Sequence, residues 1–333
     1  MLGRARLELE DDDENSQLRS SGHLSSGGWN LGFGLDVEPH MLIDVTAPVE
    51  PVNFHDKIYR GDILCFRQLE PMLELVATFR EFAAEAAAPH APVALHRSVT
   101  HEEAIERLDR YQERCLRDPE ILGLWQEVLA AIGLPAVDVA IDRLLARVQT
   151  PRQVSPGTDL VTAPLGTHRD TWASNMYEQV NWWAPIYEID EGRTMEVYPD
   201  LFAEPIGNSS ADFDIVALRE KETDSTSVVP QPNAPLPDGE VLSVLIEPGD
   251  LLAFSGAHVH RSVPNTTDHT RYSFDTRTIW IEDSAAQRGA SNVDGKAPWK
   301  NPGWFRRLDD DEPLHNLLGV EATTPANGVK SHP

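Results

Sequence analysis

Positive charge and cysteine are what this chain has least of. Against 54 Asp and Glu, its 333 residues carry 28 Lys and Arg, a formal net charge of −26. A polyanion therefore meets net repulsion and finds few cations to replace its counterions. Neither nucleic acid nor an anionic membrane is expected as a partner. The two cysteines, Cys65 and Cys115, both lie in amphipathic or apolar segments. They read as buried free thiols in a reducing compartment, not as a disulfide or a metal site. No run of about 18 apolar residues occurs, and the opening MLGRARLELEDDDENS lacks the apolar centre of a signal peptide. The expectation is a soluble, cytoplasmic protein. The acidic blocks at 8–14 and 309–312 read as solvated or disordered stretches.

What is present is enough apolar residue, 41%, for one large domain with a sizeable core. Residues 1–40, rich in Gly, Ser and acids, read as a loose leader. Met72, Leu75, Val76, Phe79, Phe82, Ala83 and Ala86 recur at helical spacing and predict an amphipathic helix over 71–87. Ala104, Ile105, Leu108, Tyr111 and Cys115 repeat the signal behind a capping box of Thr100 and Glu103. A third helix fits Ile121, Leu124, Trp125, Val128 and Ile132, closed by Gly133 and Pro135.

Beyond residue 142 the period shortens toward two, predicting strands at 143–149, 179–189, 194–199, 241–247, 251–255 and 271–281. The expected fold is α+β and mainly β: a sandwich or jelly roll with the N-terminal helices, 66–135, packed on an outer face. One domain spans 41–283, with its β core at about 143–282 and a C-terminal extension at 284–333. The Pro-rich insert 203–240 breaks the rhythm and reads as a lid or binding loop.

The chemistry concentrates in GTHRDTW, residues 166–172. On extended chain His168 and Asp170 project to one side and Arg169 to the other, which supplies two metal ligands to one point. A second cluster, FSGAHVHRSVPN, offers His258 or His260 as a third, since parity puts both on one face. Two imidazoles and a carboxylate leave three positions of a divalent iron open, suiting a bidentate co-substrate and oxygen. Downstream, RYSFDTRTIWI carries Arg271 and Arg277 on the same face as Ser273 and Asp275. An inward arginine in a β-rich core calls for an anion, such as the distal carboxylate of 2-oxoglutarate, and one of the two is expected to pair with an acid instead. In QVNWWAPIYEI one face holds Asn181 and Trp183, the other Trp182. Asn181 is a candidate for co-substrate hydrogen bonding. Trp183 is a candidate for the substrate pocket or for plain packing, and Trp172, beside the ligand pair, for lining the pocket.

The ordered set His168-x-Asp170, His260-Arg-Ser-Val-Pro-Asn265 and Arg271 resembles the phytanoyl-CoA dioxygenase-like branch of the iron(II)/2-oxoglutarate-dependent oxygenases, over about 143–282. The resemblance implies a double-stranded β-helix, cupin-like core, with Fe(2+) held by His168, Asp170 and His260. It implies 2-oxoglutarate anchored by Arg271, O2 as oxidant, and a small-molecule substrate. It also selects His260 over His258, leaving His258 beside the ligands or on the substrate side. The family's Gly-rich stretch is replaced by EGRTMEVYPDLF, so the substrate class stays open. HRDTW and NWWAP are similar to phrases of bacterial members that tailor small molecules or natural products. Hydroxylation is the expected reaction. The alternatives are a cupin-type metalloenzyme that does not use 2-oxoglutarate and a non-catalytic small-molecule-binding jelly roll.

Overall fold

The apolar stripes of the N-terminal half become helices. A computed structural model describes residues 42–153, 161–213 and 229–325, so the leader and the middle of the insert lie outside the described residues. Helix α1 (Pro51–Arg60), absent from the expectations above, begins where the Glu50 carboxylate accepts from Val52 N and Asn53 N. Helices α2 (Glu70–Ala87), α3 (His101–Arg117) and α4 (Pro119–Ile132) follow the expected periods. Thr100 Oγ1 accepts from Glu103 N at 3.2 Å, the first half of a capping box. Gly133, at φ 103°, ends α4 in the left-handed conformation, and a Cβ there would stand 2.6 Å from Val49 O, so glycine is required.

Among the described residues the strands are β1 (Leu42–Val45), β2 (Ile63–Phe66), β3 (Val139–Ile141), β4 (Leu145–Gln149), β5 (Gln179–Pro185), β6 (Met195–Tyr198), β7 (Leu242–Ser243), β8 (Leu251–Ser255), β9 (Val259–Ser262), β10 (Arg271–Trp280), β11 (Trp299–Lys300), β12 (Arg306–Arg307) and β13 (Thr324–Pro325). An eight-stranded sheet runs β1-β2-β8-β5-β10-β3-β12 with β4 also on β10, every pair antiparallel except β1–β2. A second sheet, β7-β6-β9, is antiparallel throughout. Thus the fold is mixed, with a large, mainly antiparallel sheet.

Alternation along β5 and β10 decides what each face of the large sheet meets. Trp182, Tyr272 and Phe274 point to the helices, where Phe274 lies 5.5 Å from Phe79 and 5.1 Å from Trp125, and Tyr272 lies 5.6 Å from Tyr111. Trp183, Leu252 and Phe254 point the other way and pack with Met195 and Val197 of the second sheet. The register sets Asn181 opposite both Phe254 and Arg277, a row of three on that inner face.

Residues after β10 belong to this body. Strand β12 joins the large sheet at β3, and Phe305 and Leu314 are buried against Ala140, Met176 and Ile279. The acidic block at 309–312 is an exposed turn tied by Arg306 to Asp311 and by Arg307 to Asp309 and Asp310. In the insert, the two described stems pair with each other: Ser209 N donates to Gln231 O and Asn233 N to Gly207 O. Cys65 and Cys115 are buried and free.

Candidate metal centre

The two histidines meet because their backbones pair. His168 and His260 exchange both N–H···O bonds, each 3.0 Å, as an antiparallel bridge, so their side chains leave on the same side, with ring centroids 4.3 Å apart. Asp170 joins them by a different route from the one expected. It is not on extended chain but in the helical region (φ −62°, ψ −32°), heading the single-turn helix α5 (Thr171–Ser174). The turn swings its carboxylate back to the imidazoles: Oδ1 is 3.7 Å from His168 Nε2 and Oδ2 is 3.9 Å from His260 Nε2. One ligand atom from each of the three lies within 4.8 Å of the others, and all three residues are buried.

Hydrogen bonds around the triad leave the metal-facing atoms available. His168 Nδ1 is 2.7 Å from Gly166 O and His260 Nδ1 is 3.1 Å from His258 O. Because a carbonyl only accepts, each Nδ1 carries the proton, and each Nε2 presents its lone pair inward. Asn181 Nδ2 donates to Asp170 Oδ2 at 2.5 Å, while Gln179 Nε2 donates to Asn181 Oδ1 and fixes the amide's orientation. Burial alone would raise the Asp170 carboxyl, but Arg277 and the two histidines outweigh it and hold it well below the usual carboxylate range. Burial, aided by His168, lowers His260 to about 4. At neutral pH Asp170 is therefore a carboxylate and His260 a neutral imidazole; with His168 they form a donor set of two imidazoles and a carboxylate, which suits divalent iron.

The triad faces a cavity between the two sheets, bounded by Trp183, Met195 and Phe254 and by a set of arginines. Arg271 is the one that fits an anion. It is 5% exposed. Nη1 donates to Thr194 O at 2.7 Å and Nη2 to Ser262 Oγ at 3.3 Å, while Nε has no partner and no carboxylate pairs with it among the described residues. Burial brings it down to about 10, so it remains a cation at neutral pH. Ser273 Oγ, two residues along the same face, is also buried without a partner. A buried cation and a hydroxyl awaiting acceptors are what a carboxylate would satisfy.

No family model matches the chain, and no curated protein matches it. Among solved structures, the epimerase SnoN in complex with Fe3+, alpha ketoglutarate and nogalamycin RO aligns with a TM-score of 0.39 at 15% identity, over 69% of this chain and 84% of that one. EvdO2 from Micromonospora carbonacea var. aurantiaca, complexed with 2-oxoglutarate, aligns at 0.41 and 14%, over 72% and 94%. SnoK, a non-heme alpha ketoglutarate dependent carbocyclase from nogalamycin biosynthesis, aligns at 0.37 and 14%, over 75% and 96%. Likeness at this level fixes neither fold nor function for this chain.

Other residues marked in the sequence fall differently. Arg277 is not free for a co-substrate: Nη2 pairs with Asp142, and Nη1 stands 3.4 Å from Asp170 Oδ1, so it braces the metal-facing carboxylate. Asn181 likewise spends its amide on Asp170. Asp275, which shares a face of β10 with both arginines, pairs instead with Arg147 at 2.7 Å. Trp183 lines the cavity, but Trp172 does not; its fully buried indole packs with Tyr198, Leu201, Ile206 and Val259. His258 does not share a face with His260, because it sits in the turn before β9, where parity does not apply. Its Nδ1 and Nε2 face Ser255 O and Gly61 O, its ring packs on Phe202, and burial lowers it to about 3. Asp142 and Thr194 contribute to the site without any sequence signal, since each acts only through the partner that the fold brings to it.

Proposed function

We propose that this protein is an iron(II)/2-oxoglutarate-dependent oxygenase with a double-stranded β-helix core, hydroxylating a small molecule such as a natural-product intermediate. The observation that carries this reading is the shared cavity, lined by three residues with converging ligand atoms and by Arg271, a buried arginine that pairs with no acid among the described residues. When bound, iron(II) with 2-oxoglutarate and O2 supplies an oxidant for C–H bonds, while the co-substrate is decarboxylated to succinate.

The chain's own groups divide the remaining work. His168, Asp170 and His260 would hold the metal, with Gly166 O and the His258 carbonyl setting the imidazole tautomers. Asn181 and Arg277 keep the Asp170 carboxylate oriented and ionised. Arg271, with Ser262 and Ser273 beside it, would receive the distal carboxylate of 2-oxoglutarate. Trp183, Met195 and Phe254 limit access of water to the reacting centre. Hydroxylation is the outcome that requires no additional acid or base from the protein.

The test is to add 2-oxoglutarate to the anaerobic iron(II) protein, look for a visible charge-transfer band, and then admit air and quantify succinate. A band and succinate equal to the 2-oxoglutarate consumed are expected. Metal binding with neither signal would favour a cupin-type enzyme that does without 2-oxoglutarate. Failure to bind metal would favour a non-catalytic small-molecule-binding protein.

A further inference from the structure

Arg169 stands between two proposed ligands in sequence but points away from them, and its guanidinium is among the most deeply buried groups described, 1% exposed. Four backbone carbonyls accept from it: Leu201 O at 2.7 Å, Glu204 O at 2.8 Å, Phe202 O at 3.2 Å, and Ala257 O. Carbonyls orient a cation but do not neutralise it. The one carboxylate that pairs with Arg169 among the described residues is Asp294, with Oδ2 at 3.1 Å from Nε. Removing one member of a buried ion pair leaves the other uncompensated.

Asp294 does more than balance charge. Its Oδ1 accepts from Trp172 Nε1 at 2.7 Å, and its Oδ2 also accepts from Ile206 N at 3.0 Å. The carboxylate thus grips both ends of the ligand-bearing turn, at Arg169 and at Trp172. Through Arg169 it reaches Ala257, three residues before His260 in the same stretch of chain. Its own segment is anchored independently, since Lys296 N donates to Ser210 Oγ at 2.9 Å, Asn175 Nδ2 to Ala297 O at 3.1 Å, and Asn208 Nδ2 to Asp294 O at 3.1 Å.

We infer that Asp294 is a positioning residue of the metal centre, acting through Arg169 and Trp172 to set the separation of His168, Asp170 and His260. The segment after β10 is then a working part of the site. This inference rests on the metal reading above, and its test uses Co(II) alone as the probe, with affinity measured by chelator competition and geometry by the visible d–d spectrum.

Asp294→Asn keeps the shape and removes the charge. Its Co(II) affinity is expected to fall by roughly 10- to 100-fold, the range found for groups that orient metal ligands, with an altered spectrum. Trp172→Phe loses one donor without stranding a charge and should move both readouts the same way by less, so it carries the test if Asp294→Asn does not fold. Asp283→Asn is the control, a buried carboxylate paired with Arg288 away from the cavity. It should lower the melting temperature and leave Co(II) affinity and spectrum unchanged. Wild-type affinity and spectrum in Asp294→Asn, or equal loosening in Asp283→Asn, would overturn the inference alone. A wild-type protein that binds no Co(II) would overturn the metal reading and this inference with it.

Discussion

Arg271 and Arg277 share one face of β10 and meet opposite environments. Arg277 has two carboxylates, Asp142 and Asp170; among the described residues Arg271 has carbonyl and hydroxyl oxygen only. Taking the guanidinium from a buried carboxylate of the co-substrate costs about 2–5 kcal/mol. Arg271→Ala should therefore raise the KM for 2-oxoglutarate by at least about 30-fold with metal affinity retained. Arg277→Ala should weaken Co(II) binding first, because it leaves Asp170 braced by Asn181 alone. Equal effects of the two on 2-oxoglutarate KM would undo the distinction. In parallel, His168→Ala, Asp170→Ala and His260→Ala should each lose metal affinity, while His258→Ala binds metal, its ring being spent on Ser255 O and Gly61 O. Spacing made His168 and Asp170 legible, whereas the choice of His260 over His258 came from the family resemblance, not from parity. Trp172 and His258 were not legible, because each sits on a turn, and where a turn aims a side chain depends on carbonyls and carboxylates remote in sequence.

At the scale of elements, periodicity carried most of the information. Helices α2 to α4 follow their apolar stripes, and β5 and β10 alternate as a two-faced sheet must. Helix α1 escaped notice because ten residues give barely three turns, and Phe54, Ile58 and Tyr59 are too few to establish a stripe behind Pro51. Strand reasoning about His168-x-Asp170 expects two side chains that do converge, but through the wrong element. The convergence comes from the α5 turn, not from extended alternation. The two faces of β10 can be separated by experiment. Phe274 is fully buried against Phe79 and Trp125 on the helix side. Phe274→Ala should cost about 3–5 kcal/mol in urea unfolding and leave Co(II) affinity unchanged. A metal affinity that fell in step with stability would mean that the helical layer and the site are not mechanically separate.

Across the whole molecule, charge is distributed against its average. A chain of net charge −26 places Arg147, Arg261, Arg271 and Arg277 around one cavity; Arg147, Arg261 and Arg277 are matched by Asp275, Glu196 and Asp142 with Asp170, so local attraction for a small anion rests on Arg271, where a polyanion meets the repulsion of the whole surface. Acid should undo this fold partly through groups remote from that cavity. His55, on α1, is 2% exposed, with Nδ1 unpartnered at hydrogen-bond distance and 3.9 Å from Asp283 Oδ2. Tyr59 and Arg288 hold that same carboxylate, and Trp280 and Phe54 enclose the ring. Burial lowers His55 to about 4, against a hydrogen bond with the Pro51 backbone; Arg288 pushes with burial, and Asp56 and Glu50 oppose it. In the unfolded chain it titrates near 6.5, so below that pH the unfolded state binds a proton that the native state refuses. Stability should be intact above pH 6.5, fall as pH drops, and level off only below about 4, where the native ring also protonates. At about 1.4 kcal/mol per unit, the loss from this one residue is ~2 kcal/mol by pH 5 and ~3 kcal/mol in full. The check is urea unfolding of the metal-free protein at pH 7 and pH 5, beside His55→Phe. The variant should lose distinctly less stability than the wild type across that interval; an identical pH slope would show that His55 carries none of the acid sensitivity.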